Sequence, residues 1–231
     1  MMRRRIYAAV AILLLASSAY VLSSIYSFAG ENDIRIGPHH FFIPAEYGPS
    51  GFMNLSVRWF TSQFQSQDIA VFVISEEELR NNISDYEVGQ NGIPRNIKGL
   101  IRVWSADKIE VLEDSQRYST LWRGTGPYQN RQVVRKGDFF LVYRNPLSQK
   151  TWTVLKQNPA EKTPLPSNSF DFWVARCKQH SKTFQKSEAF TVCNSYVFVD
   201  DVVIEFYLAE ENLRYIDEVR DFIVKKVGDW Y

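Results

Sequence analysis

Few side chains in this 231-residue chain have the type and spacing that chemistry requires. His39-His40 is the most suggestive pair, yet neighbours on a strand point to opposite faces, which is poor geometry for holding one metal. The run Glu76-Glu77-Glu78 comes directly after Ser75, an N-cap residue with acids in the first turn, and reads as helix-start charge. A calcium site needs six to eight oxygens converging from a shaped loop. Asp200-Asp201 sits between two apolar runs and reads as turn chemistry. There is no Gly-x-Ser-x-Gly elbow and no phosphate-binding glycine loop, and Gly124-Thr125-Gly126 lacks the lysine or third glycine that would make one. No catalytic, metal or cofactor residue is assigned on these grounds, and the expectation is a non-enzymatic protein without a cofactor.

The two cysteines are different. Cys177 and Cys193 have their midpoint at residue 185, inside the polar run Ser181 to Glu188. A hairpin symmetric about that point sets the two cysteines opposite each other, where Cα atoms lie about 4.5–5.5 Å apart, inside the range of a disulfide. Two cysteines with His180 as the one nearby imidazole do not make a four-ligand zinc site. A Cys177–Cys193 disulfide is therefore expected, provided the compartment is oxidising.

The beginning of the chain sets the compartment. Arg3, Arg4 and Arg5 precede 25 residues, Ile6 to Gly30, without an ionisable acid or base. Residues 6–26 are long enough for a membrane-crossing helix, while Ile6 to Ala16 with Ser27-Phe28-Ala29 beyond it fits a cleavable signal peptide. Both readings leave the arginines in the cytoplasm and export the remainder of the chain. Localisation is accordingly an inner-membrane anchor with the body in the periplasm or outside the cell, or secretion to the periplasm after cleavage near Ala29. Residues 31–231 form the exported body. It carries 24 basic and 26 acidic residues, which gives no argument for nucleic acid.

Elements that position these residues can be read from periodicity. Ile34 and Ile36 suggest a first strand, and Pro38 and Pro44 bracket an aromatic edge strand. Phe52 to Trp59 alternates as a half-buried strand. Ile69 to Ile74, Gly99 to Ser105, Lys108 to Leu112, Phe139 to Arg144 and Thr151 to Lys156 read as further strands, with residues 84–97 a loop. Three prolines within 158–167 mark a subdomain boundary near 157–169 or one long surface connection. Phe170 to Lys178, Phe190 to Val199 and Val202 to Leu208 read as three antiparallel strands. From Glu210 the period changes, and Leu213, Ile216, Val219, Ile223, Val227 and Trp230 form the apolar stripe of an amphipathic helix. The fold class is α+β: mainly antiparallel β-sheet with a C-terminal amphipathic helix packed on one face, preceded by an N-terminal hydrophobic helix.

An apolar export segment succeeded by Ile36-Gly37-Pro38-His39-His40-Phe41-Phe42-Ile43-Pro44-Ala45-Glu46-Tyr47 resembles the opening of small exported proteobacterial envelope proteins of the toxin-immunity type. The late cysteine spacing and a closing helix that ends near Trp230 are similar in layout. The resemblance implies a protein partner and transfers no site residue. Trp59, Trp104, Trp122 and Tyr128 are candidate contacts, since Trp and Tyr dominate interface hot spots, with core packing as their other role. The functional expectation is an extracytoplasmic binding protein, in particular an immunity-type inhibitor of a delivered toxin. The alternative is a structural or assembly subunit of an envelope complex.

Overall fold

A computed structural model describes residues 31–48, 69–89, 95–103, 119–145, 149–161, 172–180 and 190–231. The hydrophobic segment 1–30, the strands expected at 52–59 and 108–112, and the candidate contacts Trp59 and Trp104 lie outside these residues. No helix among the described residues is long and apolar enough to cross a membrane. The chain divides into two compact units, one of residues 1–68 with 230–231 and one of residues 69–229.

In the smaller unit, β1 (Glu31–Ile36) and β2 (His39–Pro44) form an antiparallel hairpin in register Ile36↔His39. Its two-residue loop places Gly37 at φ 58°, a left-handed conformation that glycine adopts without a Cβ clash. Pro38 is the second loop residue, so the bracketing prolines lie outside the ladder's interior. Ile36, Phe41 and Ile43 are buried. The chain's last two residues complete this unit: Trp230 lies 5.0 Å from Tyr47 and Tyr231 5.5 Å from Phe41, ring centre to ring centre.

The larger unit is built on one eight-stranded, wholly antiparallel sheet in the order β3-β4-β10-β9-β8-β7-β6-β5. Its strands are β3 (Ile69–Ile74), β4 (Ile97–Val103), β5 (Gln132–Lys136), β6 (Phe139–Tyr143), β7 (Thr151–Leu155), β8 (Trp173–His180), β9 (Phe190–Val199) and β10 (Val202–Ala209). Helix α1 (Glu76–Asn82) comes after β3, and α2 (Ile216–Trp230) ends the chain. Strand order departs from chain order at one place: β4 pairs with β10, about a hundred residues later in the chain.

One sheet face, with Phe72, Ile74, Ile97, Ile101, Ile204, Phe206 and Leu208 buried, is covered by α2. The expected stripe is the buried one: Leu213, Ile216, Val219, Ile223 and Val227 are at most 4% exposed. The α-helix begins later than the change of period at Glu210 suggested. Glu210–Tyr215 forms 3₁₀ turns, and the α-helix starts at Ile216. Gly99 faces Phe72 across the β3–β4 pair, and the Phe72 ring fills the space that a Cβ there would need, within 2.0–2.6 Å. Any larger residue at that position displaces a fully buried ring.

The other face carries a second core toward β5–β8, where Leu121, Trp122, Val142, Leu155, Phe172 and Trp173 are buried together. The stretch at 157–169 is bounded by β7 and β8, which pair with each other, and the unit 69–229 runs through it. Strand β5 has no counterpart among the strands expected from the sequence. It is short, carries Arg135 and Lys136, and is largely exposed, so neither an apolar run nor alternation marks it.

Candidate functional site

The structure first reassigns the residues singled out by type. Cys177 and Cys193 are opposed in the β8–β9 register and form a disulfide, with Cα atoms 4.0 Å apart and both residues fully buried. His39 and His40 diverge as adjacent strand residues must. His39 is half-buried with Nδ1 2.5 Å from the Tyr231 hydroxyl oxygen, and His40 is exposed. No cluster of three metal-ligating side chains occurs among the described residues. Asp200-Asp201 forms the exposed two-residue tip of the β9–β10 hairpin, with Asp200 at φ 51°. Trp122 is core: its ring packs 4.7 Å from that of Phe172, and Tyr128 packs half-buried against the same cluster. Trp122 is therefore not a surface anchor.

Ser75 caps α1 as its sequence implies, its Oγ accepting from the Glu78 N–H at 3.2 Å. The three acids then separate by role. Glu78 reaches Lys226 on α2 at 2.6 Å. Glu76 turns back to accept from the backbone N–H groups of Gly89 (2.8 Å) and Arg95 (2.7 Å). Those two hydrogen bonds to the charged form hold its carboxyl below the ordinary value of 4.5. The loop after α1 is thus tied at both ends of the interval 89–95 by one carboxylate.

Three residues from the turn before α2 hold Glu87 and Arg95 of that loop. Asn212, fully buried, accepts from the Glu87 N–H at 2.8 Å and donates to the Glu87 carbonyl at 3.0 Å, imitating a strand partner. Glu211 meets Arg95 at 2.6 Å, and Arg214 meets the Glu87 carboxylate at 2.7 Å. Tyr86 is buried, donates its hydroxyl to the Arg95 carbonyl at 2.9 Å, and has its phenol pKa pushed well up by burial. Asp85 completes the turn in the left-handed region, at φ 61°.

These restraints frame an open groove of about 810 Å³ lined by Arg80, Asp85, Tyr86, Glu87, Val88, Arg214 and Tyr215. Arg214 lies over the Tyr215 ring, 4.7 Å from its centre. Two arginines and two acids share the lining with two tyrosines, and Val88 is 39% exposed. Tyrosine and arginine on a rigid rim are the composition of a protein-contact hot spot. The groove offers charge-assisted hydrogen bonds of both signs. In the sequence, residues 84–97 look like any polar loop, and nothing there signals the groove; the buried asparagine that orders it lies 125 residues away from Glu87.

A second polar cluster sits within the sheet, on the side away from α2. Glu205 on β10 accepts from Asn194 Nδ2 (2.6 Å) and the Tyr207 hydroxyl (2.6 Å), and pairs with Arg102 on β4. Glu205 is 7% exposed, and desolvation together with the buried carboxylate pushes the Tyr207 pKa well up. With its charge met from three sides, Glu205 is a cross-strand bracket between β4, β10 and β9.

Lowering the pH tests the Glu76 clamp. A carboxyl whose folded pKa is depressed contributes stability that is present above its unfolded pKa and lost as pH falls through the folded one. Wild-type stability should therefore decline below about pH 4.5. Glu76→Gln, which lacks this titration, should be less stable at neutral pH and show a shallower acid limb in pH-dependent chemical denaturation. Parallel limbs would mean that the clamp contributes nothing.

No protein-family model and no curated protein matches the chain. Among solved structures, an immunity protein of the Stenotrophomonas maltophilia type IV secretion system aligns with 87% of this chain and 93% of its own, at 11% identity and a TM-score of 0.49.

Proposed function

We propose that the chain is an extracytoplasmic binding protein that acts as an immunity-type inhibitor, occupying a toxin delivered by another cell. The observation that carries this reading is the groove at 84–89: an arginine- and tyrosine-bearing rim whose backbone is fixed before any partner arrives. Preorganisation lowers the ordering cost of association, which suits an inhibitor that must bind faster than damage accumulates. The buried Cys177–Cys193 disulfide supports an oxidising compartment. The arginine cluster and uncharged segment 6–30 support export to the periplasm, whether anchored or cleaved. The opening Ile36 to Tyr47 supports the toxin-immunity class by resemblance.

Inhibition on this reading is steric and electrostatic. Arg80 and Arg214 face acidic groups of the toxin, Asp85 and Glu87 face basic ones, and Tyr215 supplies buried contact area. Rim charges of both signs steer encounter and fix register. The test is survival in contact competition. Susceptible cells that express the full chain should outlive cells that do not, and Arg214→Glu with Tyr215→Ala should remove the advantage while the protein stays folded by circular dichroism. Equal killing with and without the chain, across toxin-delivering competitors, would overturn the proposal. Protection undiminished in the double variant would remove the groove from it.

A further inference from the structure

Residues opposed across a sheet ladder point to one face. Lys98 of β4 stands opposite Tyr207 of β10, Tyr207 opposite Asn194 of β9, and Asn194 opposite Arg176 of β8. Tyr207 and Asn194 both bond Glu205, which sets this row on the face away from α2. Lys178, two residues beyond Arg176 on β8, shares that face. Lys98, Arg176 and Lys178 are all exposed, and among the described residues none of the three side chains has a hydrogen-bond or ion-pair partner. The neighbouring carboxylate, Glu205, is buried and already met by Arg102. Three positive charges thus gather on one side of four strands, in a body whose 24 basic and 26 acidic residues nearly balance.

The geometry points to a docking face for an acidic protein surface, with carboxylates of the partner set against Lys98, Arg176 and Lys178. The face shares no residue with the groove at 84–89, and its occupancy is independent of what the groove binds. Like charges held on one sheet repel one another and gain from anions placed between them. Arg176 and Lys178 lie about 7 Å apart along β8, and Lys98 lies about 14 Å away across three strand spacings. Acids one helical turn apart, or two apart on a strand, match the shorter interval. Half-buried Tyr207, Asn194 and Val192 lie among the cations, with exposed Thr151 opposite Lys178, a polar and apolar mixture typical of protein interfaces. A single-stranded nucleic acid needs aromatic faces for its bases. Here Tyr207 is tied to Glu205, and Tyr196 packs against Trp173 with ring centres 5.2 Å apart. Anionic bilayers are held by clusters of about four to eight basic residues, more than the three on this face.

Binding of the full chain to poly-L-glutamate tests this, measured at low salt beside oligo-dT and vesicles of equimolar phosphatidylcholine and phosphatidylglycerol. Poly-L-glutamate should bind more tightly than either, and more weakly as salt rises. Lys98→Glu with Arg176→Glu and Lys178→Glu should weaken that binding by about tenfold, the scale of three exposed ion pairs. The same three positions changed to glutamine should weaken it less. Arg123→Glu with Arg135→Glu and Lys225→Glu, exposed cations on other elements, changes net charge equally and should leave the affinity nearly as it was. All six side chains are exposed, so circular dichroism of both triple variants should match wild type. Absence of binding by the wild-type chain overturns the proposal, as does an equal loss in the two glutamate triples. Tighter binding of oligo-dT or of the vesicles than of poly-L-glutamate overturns it too, because the occupant is then not an acidic protein.

Discussion

Replacing Asn212 by leucine should destabilise the protein by about 3 kcal/mol and loosen the groove, although Asn212 is fully buried and no partner can touch it. The amide answers both the N–H and the carbonyl of Glu87. Leucine is close to asparagine in size, so packing is largely kept while two backbone groups lose their partners, each at about 1–3 kcal/mol when sheltered from water. Asn212→Asp separates the two bonds: its carboxylate still accepts from the Glu87 N–H but repels the Glu87 carbonyl, and it should fall between wild type and leucine. Chemical denaturation reads the stability. Hydrogen exchange reads the mechanism, since the Glu87 amide should lose its protection in Asn212→Leu before the rest of the sheet does. On the proposed function, protection against the toxin should drop in the same variant. If Asn212→Leu is as stable as wild type and Glu87 stays protected, the loop is held by Glu76 and the two arginine pairs alone.

Removing the disulfide should have an effect of similar size by a different route. Cys177 and Cys193 are separated by 16 positions, and in the chain-entropy model a loop near that length contributes about 3 kcal/mol by restricting the unfolded chain. The native ladder does not need the bond, since Cys177↔Cys193 is one rung of a β8–β9 register that extends from Arg176 to His180. The double replacement Cys177→Ala with Cys193→Ala should therefore fold to the same sheet and unfold at lower denaturant. For a urea slope of about 2 kcal/mol/M, the midpoint should move by about 1.5 M. Reductant should shift the wild type toward the variant and leave the variant unchanged. A midpoint within error of wild type would mean that the crosslink serves another purpose than stability.

The two results would weigh elements of different legibility. The β8–β9–β10–α2 region is open to sequence reading because its contacts are between consecutive elements. A polar run that contains the cysteines' midpoint, residue 185, sets the Cys177↔Cys193 rung, Asp200-Asp201 turns the next hairpin, and a 3–4 periodicity puts Val219, Ile223 and Val227 on the buried side of one helix. The Ser75 cap is legible for the same reason: it acts within a few residues of itself.

The groove is not. Asn212 reads as one polar residue at the start of a helix, and Glu87 as one acid in a loop. They become a hydrogen-bonded pair because β4 lies between β3 and β10, bringing Glu87 and Arg95 against the turn that precedes α2. Trp122 misleads in the opposite direction, since its chemistry suits a surface hot spot and only its packing against Phe172 shows it to be core. Amino-acid pattern records how much of each residue must be buried and with what period. It does not record which distant element does the burying, because the entropy of closing a loop grows only slowly with its length and leaves no local mark on either end. For this protein, sequence determined the disulfide rung, the β8–β9 and β9–β10 hairpins and the apolar face of α2. The insertion of β4 beside β10 and the clamp on Glu87 were decided by tertiary structure, where strands far apart in the chain compete for the same neighbours.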